Sequence, residues 1–234
     1  MFEQNAFVLH SRPYRENQLL VDLITEQEGK VTASVFVGQS KRSIKKGLIQ
    51  PFLPLKIMLK AQGDFKLIKQ VDALGKSLLL VKHRLFSAFY LNELLIRLLA
   101  EQIACQQLFA QYKITISALA EGEKIAPQLR QFELALLAEL GLSFDFSPVF
   151  EHDVHYFYYI AEQGFVPVYE KFPKNRDPFF ATVHLQVIAQ KGSSSKSEMS
   201  AEVANTFKLL MRHIINQLLG NKPLNSRKLF IRKV

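Results

Sequence analysis

Cysteine is almost missing from this 234-residue sequence: Cys105 is the only one. A disulfide scaffold is thereby excluded, and so is a structural zinc site built from several thiolates. No apolar run approaches the ~18–20 residues that a membrane span needs. The strongest candidates, Leu78–Val81 and Leu94–Ala100, are short and flanked by Lys76, Lys82, Arg97 and Glu101. No basic stretch precedes an apolar one at the N-terminus, so no secretory signal is expected. Nucleotide motifs are missing too. Gly75-Lys76-Ser77 looks like the end of a phosphate-binding loop, but Gln70 stands where that loop requires its first glycine, and neither G-x-G-x-x-G nor G-x-S-x-G occurs. The expectation is a soluble, intracellular protein that is not an enzyme.

What is present is positive charge. Apolar residues make up 48% and charged residues 22%, which is the balance of a folded chain rather than a disordered one. Thirty Lys and Arg against 21 Asp and Glu leave a net +9, which favours a polyanionic partner such as nucleic acid or an anionic membrane surface. The excess is uneven. Residues 1–82 hold 13 bases and 7 acids, residues 83–234 hold 17 and 14. Between Glu28 and Asp64 there is no acid but seven bases: Lys30, Lys41, Arg42, Lys45, Lys46, Lys56 and Lys60. After Glu202 the acids stop again, while Lys208, Arg212, Lys222, Arg227, Lys228, Arg232 and Lys233 continue.

Hydrophobic periodicity divides the chain at about residue 80. Before it, Val31, Ala33, Val35 and Val37 alternate with Thr32, Ser34 and Phe36, and Leu53, Leu55, Ile57 and Leu59 alternate with Pro54, Lys56, Met58 and Lys60. A period of two is that of a half-buried strand. Phe7–His10, Leu19–Thr25 and Phe65–Val71 add three more runs, with Gly29 and Gly63-Asp64 as hairpin turns. Five short strands predict a small barrel, of the OB or SH3-like kind. From His83 the period becomes helical. Stripes run through Leu85 to Leu99, Leu108 to Leu119, Leu129 to Leu140 and Val203 to Leu218, the third opened by Pro127 and closed by Gly141. Such stripes must be buried against one another, which predicts a mainly α-helical domain over 81–234 following a barrel domain over 1–80. Tyr156–Ile160 and Phe165–Tyr169 predict a hairpin within it, near 154–169, and 190–197 reads as a polar loop.

The residues from Gly38 to Gly47 carry Lys41, Arg42, Lys45 and Lys46, no acid, and several hydroxyl or amide side chains. Phosphate oxygens are met by such cationic and neutral donors. Lys56 and Lys60 project from the next strand, and Phe36, Phe52 and Phe65 are candidate base-stacking rings, the alternative being that they belong to the core. His152, Asp153 and His155, beside Glu151, are permissible metal ligands, but their spacing matches no catalytic zinc motif and a solvated loop is the expectation.

These segments resemble a known family. Phe7-Val8-Leu9-His10-Ser11-Arg12-Pro13, Ser40-Lys41-Arg42-Ser43, Gln50-Pro51-Phe52, Leu91-Asn92-Glu93-Leu94-Leu95, Leu129 to Leu137 and Leu219-Gly220 through Leu229-Phe230 are similar, in order, to the RecO family of bacterial recombination mediators. The resemblance implies an N-terminal OB-fold, a helical C-terminal domain and no catalytic activity. It implies binding of single- and double-stranded DNA, strand annealing, and a cytoplasmic, nucleoid-associated protein that is monomeric alone. Partners implied are RecR, RecF, RecA and the acidic C-terminal tail of single-stranded-DNA-binding protein, with protein recruitment and incidental DNA contact as the alternative emphasis. DNA contacts are assigned to Lys30, Lys41, Arg42, Lys45, Lys46, Lys56, Arg227 and Lys228. The tail is assigned to an exposed Arg130 with Phe132 and Leu136. Relatives often carry four zinc-binding cysteines after the position of Phe146; these are missing here, so no metal and no cofactor are expected. Gln39 and Gln131 replace bases that relatives often have.

Overall fold

The computed structural model describes residues 3–38, 44–62, 65–169, 178–192, 194 and 198–230. Its contacts divide the chain into two compact units, residues 1–123 together with 224–234, and residues 124–223. The barrel strands end before residue 80, as the change of period indicates, but the compact unit around them extends through two helices beyond that point.

The first unit is built on a closed barrel of β1 (Glu3–Pro13), β2 (Gln18–Thr25), β3 (Gly29–Phe36), β4 (Leu55–Gln62) and β5 (Phe65–Ala73), in the order β1-β2-β3-β5-β4. Neighbours pair antiparallel except β3 with β5, where Ala33 faces Lys66 in parallel. This order separates the OB arrangement from other small barrels, a choice that periodicity alone leaves open. The alternating Val31, Ala33, Val35, Leu55, Ile57 and Leu59 fill the interior with Val8, Val21 and Leu23. Gly63 and Asp64, the expected turn, lie outside the described residues, between the paired Gln62 and Phe65. A short helix α1 (Ile44–Leu48), which periodicity does not reveal, precedes β4.

Helices α2 (His83–Leu98) and α3 (Gln106–Ala120) belong to the same unit. Asn92 ties them to the barrel: its amide donates to the Leu9 carbonyl at 2.9 Å, and its oxygen accepts from the Tyr112 hydroxyl at 2.7 Å. Phe7 packs edge-on to Tyr112 at 5.3 Å between ring centroids. Gly29 is required by this packing. It adopts φ +67°, and a Cβ there would stand 1.8 Å from the Ile103 carbonyl oxygen. Cys105 is buried beside it.

The second unit contains α4 (Ile125–Glu139), α5 (Ser147–Glu151), α6 (Thr182–Lys191) and α7 (Ala201–Leu218), with a sheet of β6 (Tyr156–Ile160), β7 (Gly164–Pro167) and β8 (Phe180–Ala181). The predicted hairpin is β6–β7, and β8 adds a third strand on the other side of β6. A core of Leu137, Phe157, Phe165, Phe180, Leu185, Phe207 and Leu210 joins sheet to helices. Helix α6 is the longest element that the sequence reading misses. Only Leu185 and Ile188 mark its buried face along with Thr182, too few for a visible stripe.

Candidate nucleic-acid interface

Positive charge is partitioned by unit. Residues 1–123 and 224–234 carry 20 Lys and Arg against 11 Asp and Glu, whereas residues 124–223 carry 10 of each. The whole excess of +9 therefore belongs to the barrel unit. A polyanion is drawn to that unit and gains nothing from the net charge of the other.

The predicted cations differ in what surrounds them. Lys45 and Lys46 are exposed on α1, and Lys60 is exposed on β4; none has an ion-pair partner among the described residues. Lys41 and Arg42 lie outside the described residues. Lys56 is exposed on β4 and paired with Glu3, whose hydrogen bond and charge hold its ammonium above the ordinary lysine range. Lys30 is not an open cation. It is half-buried, and its ammonium donates to the Ile96 carbonyl at 3.0 Å, neutralising the negative end of α2. The backbone of Lys30 likewise accepts from the Gln102 amide at 2.8 Å.

The aromatic candidates separate as well. Phe36, at the end of β3, is 56% exposed. Phe52 is core, 4% exposed and edge-on to Phe89. Phe65, half-buried at the start of β5, stands 6.1 Å from Tyr14. Sequence reasoning passed over Tyr14 and Arg15. They occupy the β1–β2 turn, with the Arg15 guanidinium 5.2 Å above the Tyr14 ring. Val37 donates to the Asn17 carbonyl at 2.8 Å, which ties the strand end after Phe36 to the same turn. The β1–β2 and β4–β5 connections of an OB barrel are its usual ligand-binding loops. A flat stacking surface with a cation beside it is what an unpaired base and its phosphate require. The signal available in the sequence was the aromatic-basic pair Tyr14-Arg15 directly after Pro13.

Arg227 and Lys228 lie in a C-terminal 3₁₀ turn (Ser226–Phe230) that belongs to the barrel unit. Lys228 is exposed and its ammonium reaches the Asn225 side-chain oxygen at 3.3 Å; Arg227 is half-buried.

In the second unit, the expected tail-binding set requires correction. The Arg130 side chain is only 15% exposed, and its guanidinium donates to Glu133, itself 1% exposed, at 2.6 Å. The i,i+3 spacing brings the two together, and burial makes the pair structural. Phe132 and Leu136 are fully buried, because the helical period turns positions 132, 136 and 137 inward. A groove of about 380 Å³ is lined instead by Leu134, Leu137, Ala138, Phe144, Phe146 and Phe207, among others. The Gln131 amide donates to the carbonyl of Gly192, a residue of the groove lining, at 2.6 Å. His152, of the metal-ligand candidates, is hydrogen-bonded to the Tyr169 hydroxyl at 2.9 Å, and no group of three or more His, Cys, Asp or Glu among the described residues is placed to hold a metal ion. No helix among the described residues is long and apolar enough to cross a membrane.

An OB barrel carrying the whole net charge, with aromatic and cationic side chains at its loops, has the fold and charge of the nucleic-acid-binding class. Comparison with known proteins is specific. Residues 1–76 match the family model described as Recombination protein O N terminal, and residues 82–228 match Recombination protein O C terminal. Among similar proteins are DNA repair protein RecO of Cellvibrio japonicus (strain Ueda107), 39% identical over 97% of this chain and 95% of that one, and of Tolumonas auensis (strain DSM 9187 / NBRC 110442 / TA 4), 40% identical over 96% and 93%. The RecO of Alteromonas mediterranea is 34% identical over 98% and 97%. The chain belongs to the RecO family of DNA repair proteins.

Proposed function

We propose that this protein is a recombination mediator that holds single- and double-stranded DNA on its barrel unit and anneals complementary strands. With RecR and RecF it helps to load RecA onto strands coated by single-stranded-DNA-binding protein. The observation that carries the DNA-binding part is the confinement of the net +9 to the barrel unit, with Lys45, Lys46 and Lys60 exposed there. Two polyanions repel each other, and a surface that neutralises both lowers the cost of their approach. Each neutralised phosphate releases counterions, so affinity falls as salt rises, with a slope of about 0.7 per charge on single strands. Replacing Lys45, Lys46 and Lys60 by alanine weakens binding and flattens that slope in a filter-binding titration. Unchanged affinity and slope would remove this surface from the interface.

The groove in the second unit favours a second activity, docking of an acidic peptide tail that ends in an aromatic residue. Leu134, Leu137, Phe144, Phe146 and Phe207 offer the apolar pocket that such an end fills. Arg130 precedes Leu134 by one helical turn, so this assignment keeps the predicted arginine and exchanges Phe132 and Leu136 for the groove-lining Leu134 and Ala138, which are not buried. Ala138→Glu fills the groove from an exposed position and repels an acidic tail. Calorimetry with the tail peptide then shows lost binding while DNA affinity stays unchanged. Full peptide affinity in that variant would exclude the groove. If DNA affinity is also negligible in the parent protein, the adaptor reading with incidental DNA contact replaces the mediator reading.

A further inference from the structure

The last eleven residues, 224–234, contain four bases and no acid, and they supply four of the 20 cations of the barrel unit. They lie some 130 positions from the helix that holds them. Glu93, on α2, accepts the Asn225 amide at 2.9 Å, the Ser226 amide at 2.8 Å and the Ser226 hydroxyl at 2.7 Å. Arg97, one turn further along α2, stands 3.5 Å from the same carboxylate. Ten residues before Glu93 on the same helix, His83 stacks nearly parallel to Phe230, with Phe86 edge-on to Phe230 at 5.6 Å. The segment therefore runs antiparallel along one face of α2, fastened at 225–226 by a carboxylate and at 230 by two rings. Between those fastenings are Arg227 and Lys228.

A carboxylate that accepts three hydrogen bonds from one short segment is a strong and directional tie, because charged acceptors bind more tightly than neutral ones. Glu93 has no role in contacting DNA itself, since its own charge repels phosphate. Its effect is to hold a cationic segment that would otherwise trail from the chain, and a held cation loses less conformational freedom when it meets a phosphate.

From this arrangement we infer that Glu93 is a positioning residue for polyanion binding: by clamping residues 225 and 226 it holds Arg227 and Lys228 on the barrel unit, where they add to the cations that meet a DNA strand. The inference rests on the DNA-binding reading given above and adds to it a residue that never touches the ligand.

The test is a double-mutant cycle on the full chain, with a thymidine oligonucleotide of about 30 residues as the probe. Glu93→Gln keeps one acceptor oxygen but turns an amide donor toward the donors of either Asn225 or Ser226, and loosens the segment. Hydrogen exchange in residues 224–230 then rises, and DNA affinity falls several-fold. Arg227→Ala with Lys228→Ala lowers affinity and reduces the salt slope by about 1.4, at 0.7 per charge. Because both changes act through the same contacts, combining them costs little more than the charge removal alone. Ser226→Ala, which removes a single hydrogen bond, shows a smaller loss with the same lack of additivity and serves where Glu93→Gln fails to fold. Multiplying effects, or a released segment with unaltered affinity, would overturn the inference while leaving DNA binding by the barrel intact. Absence of salt-dependent binding by the parent protein would instead defeat the DNA-binding reading.

Discussion

Tyr14 in the β1–β2 turn and Phe65 at the start of β5 meet edge to face across 50 intervening positions, their ring centroids 6.1 Å apart. With Arg15 seated above Tyr14, they form an aromatic and cationic site at two loops of the barrel. Tyr14→Ala and Phe65→Ala each reduce single-strand affinity by about 1–3 kcal/mol, the usual worth of base stacking. Fluorescence anisotropy with labelled single strands and duplexes of equal length checks this. A loss of the same size on the duplex, whose bases are already stacked, would show that the pair serves only the barrel.

Gly29→Ala destabilises the barrel unit. The backbone sits at φ +67°, which costs a residue with a side chain about 1–3 kcal/mol. The added methyl also collides with the Ile103 carbonyl, a backbone atom that moves only if the segment packed on β3 moves. Urea titration reads the change as a lowered midpoint.

Arg130→Ala is expected to cost stability before it reports on any partner. Glu133 is 1% exposed, and removing its guanidinium leaves a buried charge without that compensation, at about 3–5 kcal/mol. Changing Glu133→Leu together with Arg130→Ala recovers most of the loss in a thermal or urea melt. Equal melts for Arg130→Ala and the parent protein would show that the pair contributes nothing.

The C-terminal clamp weakens in acid. Burial pushes the Glu93 carboxyl upward, but the Ser226 hydroxyl, the Ser226 and Asn225 amides and the Arg97 charge outweigh it, leaving the group below its ordinary value of 4.5. A carboxyl held low contributes its stability above the unfolded value and loses it as pH falls through the folded one. The attachment of residues 224–230 is therefore complete at neutral pH and is lost only below about 4.5. The Ser226 amide resonance followed by NMR shows one transition below that pH, missing in Glu93→Gln. A midpoint above it would contradict the clamp's chemistry.

The family resemblance and the structure meet in the Leu91-Asn92-Glu93-Leu94-Leu95 segment. In the sequence it is a helical stripe interrupted by two polar residues. In the fold, Asn92 satisfies the Leu9 carbonyl and the Tyr112 hydroxyl, and Glu93 holds the C-terminal segment. None of these partners could be read from the helix itself, because each lies at least 20 positions away. The same limit explains the tail-binding residues. The spacing of Arg130 and Glu133 was visible, but whether the pair faced water or the interior was a matter of what packs around α4.

Local periodicity was enough to determine the five strands, the helices α2, α3, α4 and α7 and the β6–β7 hairpin, because each buries one face and its side chains recur with the period of its backbone. Composition determined that the protein is cationic. Tertiary structure decided which cations are open: it turned Lys30 to a helix end, paired Lys56 with Glu3, gathered Tyr14, Arg15 and Phe65 at the barrel loops and returned the basic C-terminus to the unit where the chain begins. The physical reason is that burial and ion pairing depend on neighbours brought together by chain closure over tens of residues, and a window of sequence contains no term for them.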